Sequence, residues 1–183
     1  MSGPGALLWG LIYLLLTPKE LCALLAAVLS HELGHILALL LLDGGVDALC
    51  LTGTGLRIDC RRKLPPLGEM LAALAGPIFG LLWCLCAKAI GCELSFRISV
   101  ALTVFNLLPM SYLDGGRAIH SAVGIIFGCL VAEKISAMVD GLFCLIVCCL
   151  GLISAYRGGG VMPAAAGAWL TAVTFLNKKA PPH

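Results

Sequence analysis

Charged side chains are scarce in this chain, and their positive and negative charges nearly cancel. Lysine, arginine, aspartate and glutamate make up 12% of the 183 residues, with 12 basic side chains against 10 acidic ones. So balanced a charge gives no basic surface of the kind that binds nucleic acid. The mean hydropathy is +1.02 and 60% of the residues are hydrophobic, more than one small water-soluble core could bury. The composition predicts a multi-pass membrane protein whose partners are membrane lipid and membrane proteins.

Several other patterns are missing. The first residues carry no basic segment, and the apolar run Ala6–Leu16 has no small-residue cleavage site behind it, so we expect a retained helix rather than a signal peptide. None of the ten cysteines forms a C-x-x-C pair. We find no internal repeat, linker or low-complexity segment, which predicts a single membrane-embedded domain over residues 1–183. The cysteines within apolar runs are expected to pack as small hydrophobic side chains: Cys84, Cys86, Cys144, Cys148 and Cys149.

Apolar runs near the roughly 20 residues that a transmembrane helix needs recur along the sequence. Between the second and third runs, Val46–Asp59 has two glycines flanking a threonine, which predicts a β-hairpin or small sheet. The stretch Ala118–Lys134 is apolar but interrupted by polar residues, so we expect it at the membrane interface or against the helix bundle. The predicted fold is an all-α multi-pass membrane protein with a core at 20–117, C-terminal helices at 138–177 and about six spans: Gly3–Thr17, Leu21–Leu42, Leu67–Gly91, Phe96–Met110, Met138–Tyr156 and Val161–Leu176.

The second predicted span contains His31, Glu32 and His35 in otherwise apolar sequence. Residues four apart lie on one face of a helix, so the two imidazoles could bind one metal ion while the glutamate reaches a water on that ion. This H-E-x-x-H pattern is typical of zinc hydrolases, and ionisable groups inside a membrane are usually functional because they are costly. Two alternatives are buried polar residues that hydrogen-bond neighbouring helices, and a transporter's proton relay at His31 and Glu32.

A catalytic zinc site needs a third protein ligand, and Asp114 is the candidate. It follows the fourth predicted span, where Pro109 is expected to break or bend the helix. A turn containing Gly115 and Gly116 is expected to display its carboxylate toward the metal. Asn106, in the same segment, could donate a hydrogen bond to the substrate backbone or to the oxyanion. The alternative is an ordinary loop with aspartate in a D-G-G turn.

In this order the two motifs resemble the signatures of the site-2 proteases, a family of intramembrane zinc metalloproteases. The signatures are H-E-x-x-H in one membrane helix and N-x-x-P-x-x-x-x-D-G in a later one, and the similarity runs from about Val28 to Arg117. The resemblance implies one Zn²⁺ ion with three protein ligands and a catalytic glutamate. The site residues are then the metal ligands His31, His35 and Asp114, the catalytic Glu32, and Asn106, Pro109 and Gly115 in substrate-binding or supporting roles.

An A-G-P run, a further feature of this family, occurs at residues 75–77, but Gly80 stands where the family often has asparagine. We expect Gly76 and Gly80 to serve helix packing. The compact chain is most similar to the sporulation branch, which cleaves a membrane-associated pro-sigma factor, although the CBS domain common in that branch is absent and there is no room for a PDZ domain. The resemblance implies a membrane-associated protein substrate in the bacterial cell membrane, with a membrane inhibitor or regulator as a further partner.

The predicted hairpin Val46–Asp59 could hold an extended substrate by strand addition, or it could only cover the mouth of the site. Functions other than proteolysis also stay open. A catalytically silent membrane adaptor would be expected to lose a metal ligand or the base, and all four residues are present here. A transporter would be expected to show broken helices in matched halves, and the sequence has no such repeat.

Basic residues cluster on one side of the predicted membrane topology, which is the side that faces the cytoplasm. This orientation puts His35 and His31 in the cytoplasmic half of the membrane, about 12 Å and 18 Å along the helix from Asp43. The cluster consists of Arg57, Arg61, Arg62, Lys63, Arg117, Lys178 and Lys179, against Lys19, Lys88, Arg97 and Arg157 on the opposite side.

The topology predicts opposite accessibility for two cysteines, with Cys60 in the cytoplasm and Cys92 near the outer face. In intact cells that carry single-cysteine variants, an impermeant thiol reagent should modify Cys92 and spare Cys60. A variant without cysteines measures the background. Strong labelling of Cys60 from outside would invert the topology and move the site to the other half of the membrane.

Overall fold

The computed structural model describes residues 16–42, 44, 46–52, 55–60 and 64–158, and only the backbone of the two strands. The last predicted span, Val161–Leu176, and all but the end of the first, Gly3–Thr17, lie outside the described residues. In chain order the described elements are α1 (Pro18–Leu41), β1 (Val46–Thr52), β2 (Gly55–Cys60), α2 (Pro66–Ala89), α3 (Glu93–Asn106), α4 (Asp114–Phe127) and α5 (Cys129–Tyr156).

Helix α1 begins at a capping box. The hydroxyl of Thr17 accepts a hydrogen bond from the backbone N–H of Glu20 (3.4 Å), and the carboxylate of Glu20 accepts one from the backbone N–H of Thr17 (2.8 Å). Pro18 suits the first turn, where its missing N–H would have no partner within the helix. The helix continues for 24 residues, so the H-E-x-x-H motif lies in its second half.

The described residues up to Leu108 form one compact unit, in which α1, α2 and α3 pack against one another. Helices α1 and α2 approach closely at Gly34, where a Cβ would overlap the carbonyl of Ala75 and lie 2.9 Å from the Cβ of Phe79. Ser30, one turn earlier, donates a hydrogen bond to the carbonyl of Phe79 (3.2 Å). Small residues let helix backbones meet in this way, and the contact fixes the position of α1 along α2.

Strands β1 and β2 form an antiparallel pair that follows the C-terminal end of α1. Thr52 pairs with Gly55 beside the connection and Val46 pairs with Cys60 at the far end, with a register shift between Val46 and Ala48. A two-stranded pair has little stability alone. Both strands contact α1, the helix that carries the two histidines.

The described residues from Pro109 onward form a second compact unit, in which α4 packs against α5. Gly128 separates the two helices with a φ of +86°, a conformation that residues with a side chain rarely adopt. His120 on α4 and Ser136 on α5 form a hydrogen bond between Nδ1 and Oγ (3.1 Å).

One predicted boundary in this unit is wrong. The stretch Ala118–Lys134, predicted to lie at the membrane interface or against the helix bundle, is divided at Gly128 between two helices. Helix α5 therefore begins at Cys129, ahead of the predicted span Met138–Tyr156. The boundary between α4 and α5 is set by the backbone conformation of Gly128. The sequence is apolar on both sides of this glycine, so the apolar pattern does not mark the boundary.

Three helices within the described ranges, α1, α2 and α5, are long and apolar enough to cross a membrane. Large apolar side chains on their outer faces are exposed, among them Leu29 (67%), Leu85 (58%) and Leu152 (66%). The fourth predicted span, Phe96–Met110, corresponds to α3, whose 14 residues measure about 21 Å against a hydrocarbon core of about 30 Å. Within the described residues, three of the about six predicted spans therefore correspond to helices that are long and apolar enough to cross a membrane: α1, α2 and α5.

Candidate metal centre

Two buried histidines face each other on α1. His31 and His35 lie one turn apart, with exposed fractions of 4% and 8%. Their Nε2 atoms are 3.2 Å apart and their ring planes cross at 83°. Two nitrogen ligands at about 2.0–2.1 Å from one tetrahedral ion would lie about 3.3 Å apart. The two imidazoles therefore have the spacing of two corners of a tetrahedral site.

Helix α2 orients the ring of His35. Its Nδ1 lies 2.8 Å from the carbonyl oxygen of Ala72, within hydrogen-bond distance. A carbonyl can only accept, so this contact places the proton on Nδ1 and leaves the lone pair of Nε2 to bind a metal. Pro77 follows in the next turn and has no N–H to donate to the carbonyl of Ala73. Helix α2 thus lacks one backbone hydrogen bond close to the place where it receives the histidine.

Two glycines of α2 border the histidine rings. A Cβ on Gly76 would overlap the imidazole of His35, so a larger residue would displace the ring. A Cβ on Gly80 would lie 2.6 Å from Oγ1 of Thr103 and 3.8 Å from Nδ1 of His31. Both glycines allow close packing, as the sequence predicted. The sequence did not indicate that histidine rings are among the groups that pack against them.

Asp114 is the first residue of α4 and is 7% exposed. The prediction that it stands beside a turn containing Gly115 and Gly116 is wrong, because both glycines belong to the first turn of the helix. A Cβ on Gly116 would overlap the carbonyl of Met110, so this glycine is needed for contact with the preceding loop. The N-terminus of a helix also favours a carboxylate through its dipole.

Arg117 forms an ion pair with the candidate ligand Asp114 that the sequence reasoning missed. Its Nη1 lies 3.4 Å from Oδ1 of Asp114, and its side chain is half exposed. The ion pair joins the buried carboxylate to a side chain that reaches the solvent. The i,i+3 spacing of the two residues could have indicated the contact, but only if α4 had been predicted to begin at Asp114.

His31 and His35 belong to the first unit and Asp114 to the second, and these three residues are the metal ligands that the family resemblance implied. All three side chains are buried. Two imidazoles and one carboxylate are a donor set of catalytic zinc sites, which keep a fourth position for water. Both the donor set and the spacing of the two Nε2 atoms fit zinc.

The other predicted site residues lie on α1, at the end of α3, in the loop that follows α3 and at the start of α4. Glu32 is half-buried on α1. Asn106 is the last residue of α3, and its amide nitrogen donates a hydrogen bond to the carbonyl of Leu102 in its own helix (3.0 Å). Pro109 lies in the loop between α3 and α4, and Gly115 is buried in the first turn of α4.

Comparisons of sequence point to metalloproteases. No family model matches the chain. It is 26% identical over 162 residues to a zinc metalloprotease of Methanocaldococcus jannaschii, covering 82% of this chain and 45% of that protein. It is 31% identical over 143 residues to a candidate zinc metalloprotease of Synechocystis sp., covering 70% of this chain and 35% of that protein. The chain spans less than half the length of these curated relatives.

A comparison of structures identifies the fold. The site-2 protease from Methanocaldococcus jannaschii aligns with a TM-score of 0.71 at 20% identity, covering 97% of this chain and 87% of that chain. The chain therefore has the fold of a site-2 protease, as the resemblance implied. None of these names refers to sporulation, so the sporulation branch stays a prediction.

We expect Gly76→Ala to push the ring of His35 away from Ala72 and to weaken zinc binding by about tenfold or more. Chelator competition on detergent-purified protein measures the affinity. Gly141→Ala in α5 is the matched control, because a Cβ there meets no atom within 4 Å. Equal affinity in the two variants would show that the space beside His35 is not needed for the site.

Proposed function

We propose that the protein is an intramembrane zinc metalloprotease that hydrolyses a peptide bond in a membrane-associated protein. The observation that carries the proposal is the pair of buried histidines on α1, in which a backbone carbonyl holds Nδ1 of His35 and its Nε2 faces that of His31. Asp114 is proposed as the third ligand. The site-2 protease fold and the names of two relatives support it.

The proposed roles follow from the chemistry of each side chain. Two neutral imidazoles and one carboxylate would hold the ion and leave one position for water. Zinc bound there would supply a Lewis acid for the scissile carbonyl and for the water. Glu32 would accept the proton of the attacking water and deliver it to the leaving amine. Asn106 would give its second amide N–H to the substrate backbone or to the oxyanion.

The substrate is proposed to approach from the end of α1 that leads into the strands. This helix ends at Leu41, so His35 lies about 9 Å and His31 about 15 Å along its axis from that end. A strand of the β1–β2 pair could add an extended peptide by main-chain hydrogen bonds. The basic residues Arg57, Arg61, Arg62 and Lys63, which follow α1 in the sequence, favour the cytoplasmic side of a bacterial membrane for this end of the helix. The family resemblance favours a membrane-associated pro-sigma factor as substrate and a membrane protein as regulator.

A catalytically silent adaptor and a proton-relaying transporter are the alternatives. An adaptor has no need of a complete set of ligands and base, yet the set is complete. A relay through His31 and Glu32 has no need of His35, whose ring is nevertheless held by Ala72 with its Nε2 3.2 Å from that of His31. This geometry favours a metal over a relay.

Glu32→Gln should give a folded, zinc-loaded and proteolytically inactive protein, because the amide keeps the shape of the side chain but cannot accept the proton. Cleavage is followed in cells that co-express a membrane-associated pro-sigma factor, and zinc is measured on the purified variant. Glu69→Gln, the same change at an exposed site on α2, is the control and should stay active. Persistent cleavage by Glu32→Gln would remove Glu32 from the mechanism.

Asp114→Asn should lower zinc retention as well as activity, because an uncharged amide oxygen is a poorer ligand than a carboxylate. Elemental analysis after gel filtration in detergent measures the retained zinc. Glu93→Gln removes a charge at the exposed start of α3 and serves as the control. Normal zinc content with normal turnover would leave Asp114 as a structural residue only.

A further inference from the structure

Helix α5 contains a buried acid, Asp140, that belongs to neither of the two motifs. It is 1% exposed, although the neighbouring residues of this helix are mostly apolar and exposed. A carboxylate inside a membrane helix is costly unless it is hydrogen-bonded, and such residues usually have a specific use. The partners of Asp140 therefore indicate what it does.

Both carboxylate oxygens of Asp140 bind one residue, Ser111. Oδ1 accepts a hydrogen bond from the backbone N–H of Ser111 (2.9 Å), and Oδ2 accepts one from its hydroxyl (2.8 Å). Two hydrogen bonds to the same residue fix its orientation as well as its distance. The pair ties α5 to the loop that precedes α4.

That loop leads directly into Asp114. Met110 is fully buried, and its carbonyl accepts a hydrogen bond from the N–H of Leu113 (2.8 Å). The same carbonyl packs on Gly116, where a Cβ would overlap it. The loop and the first turn of α4 therefore form one packed segment. A restraint on Ser111 is transmitted to the backbone of Asp114, three residues further on.

We propose that Asp140 is a positioning residue for the third metal ligand and acts through Ser111 on Asp114. The proposal rests on the proposed function, because it requires Asp114 to bind zinc. Asp140 needs no contact with metal or substrate. Its two hydrogen bonds hold the loop in one conformation, so the ordering of the ligand is completed on folding and does not oppose metal binding.

Four variants separate positioning from folding. Asp140→Leu removes both acceptors at similar volume. Asp140→Asn keeps both bonds, since its carbonyl accepts from the N–H and its amide donates to the hydroxyl oxygen of Ser111. Ser111→Ala removes only the bond of the hydroxyl. Ser136→Ala is the matched control, because it removes a hydrogen bond from α5 to His120 on α4 without touching the loop.

Zinc affinity is measured by chelator competition on each folded variant in detergent, beside thermal unfolding of the metal-free protein. We expect the dissociation constant to rise about tenfold or more in Asp140→Leu and roughly threefold in Ser111→Ala, and to stay at the wild-type value in Asp140→Asn and Ser136→Ala. Adding Ser111→Ala to Asp140→Leu should weaken binding no further, because Asp140→Leu has already removed the hydrogen bond of the Ser111 hydroxyl.

Wild-type affinity in both Asp140→Leu and Ser111→Ala would overturn the positioning role and leave the proposed function intact. An equal loss in Ser136→Ala would also overturn it, since the effect would then come from the general packing of α4 on α5. If Asp140→Leu does not fold, the comparison of Ser111→Ala with Ser136→Ala decides. Wild-type protein that binds no zinc would overturn the proposed function itself, and the positioning role with it.

Discussion

The contact between the imidazole of His35 and helix α2 is the interaction on which the candidate metal centre depends. The carbonyl of Ala72 holds Nδ1 at 2.8 Å, and Gly76 leaves the space that the ring occupies. The first contact fixes the proton and the second fixes the position of the ring. Together they turn Nε2 toward His31, so the spacing of the two imidazoles is a property of how α1 packs on α2.

This dependence explains why α1 and α2 meet through small residues. Inside a membrane, apolar side chains gain little by leaving lipid, so helices associate through close packing and hydrogen bonds. Gly34, within the H-E-x-x-H motif itself, brings α1 onto the carbonyl of Ala75. A larger residue there would separate the helices and draw His35 away from Ala72 at the same time. Helix association and ligand orientation thus depend on one contact.

The parts of the fold and site that the sequence predicted are those with local signals. Apolar runs delimit α1 and α2, and the spacing of the H-E-x-x-H motif puts its histidines on one helix face. The start of α4 at Asp114 was not predictable, because D-G-G also favours turns and the contact of Gly116 with Met110 decides between them. The imidazole of His35 is held by the backbone carbonyl of Ala72. Every residue has a backbone carbonyl, so the sequence does not show which one is the partner. Asp140 and Ser111 are 29 positions apart in the sequence, and the periodicity of apolar residues does not indicate contacts between such distant positions.

Gly80 illustrates how a departure from the pattern of the resembled family is accommodated by a neighbouring helix. Where that family often has asparagine, a Cβ would lie 2.6 Å from Oγ1 of Thr103, so a larger side chain could enter only if that hydroxyl or α3 moved away. Thr103 is buried, and its hydroxyl reaches this place from α3. Nδ1 of His31 lies 3.8 Å from the same Cβ position. The space beside His31 that a side chain at position 80 would enter from α2 is thus occupied by the hydroxyl of Thr103 from α3. The residues at 80 and 103 constrain each other, because any side chain at 80 requires that hydroxyl to move.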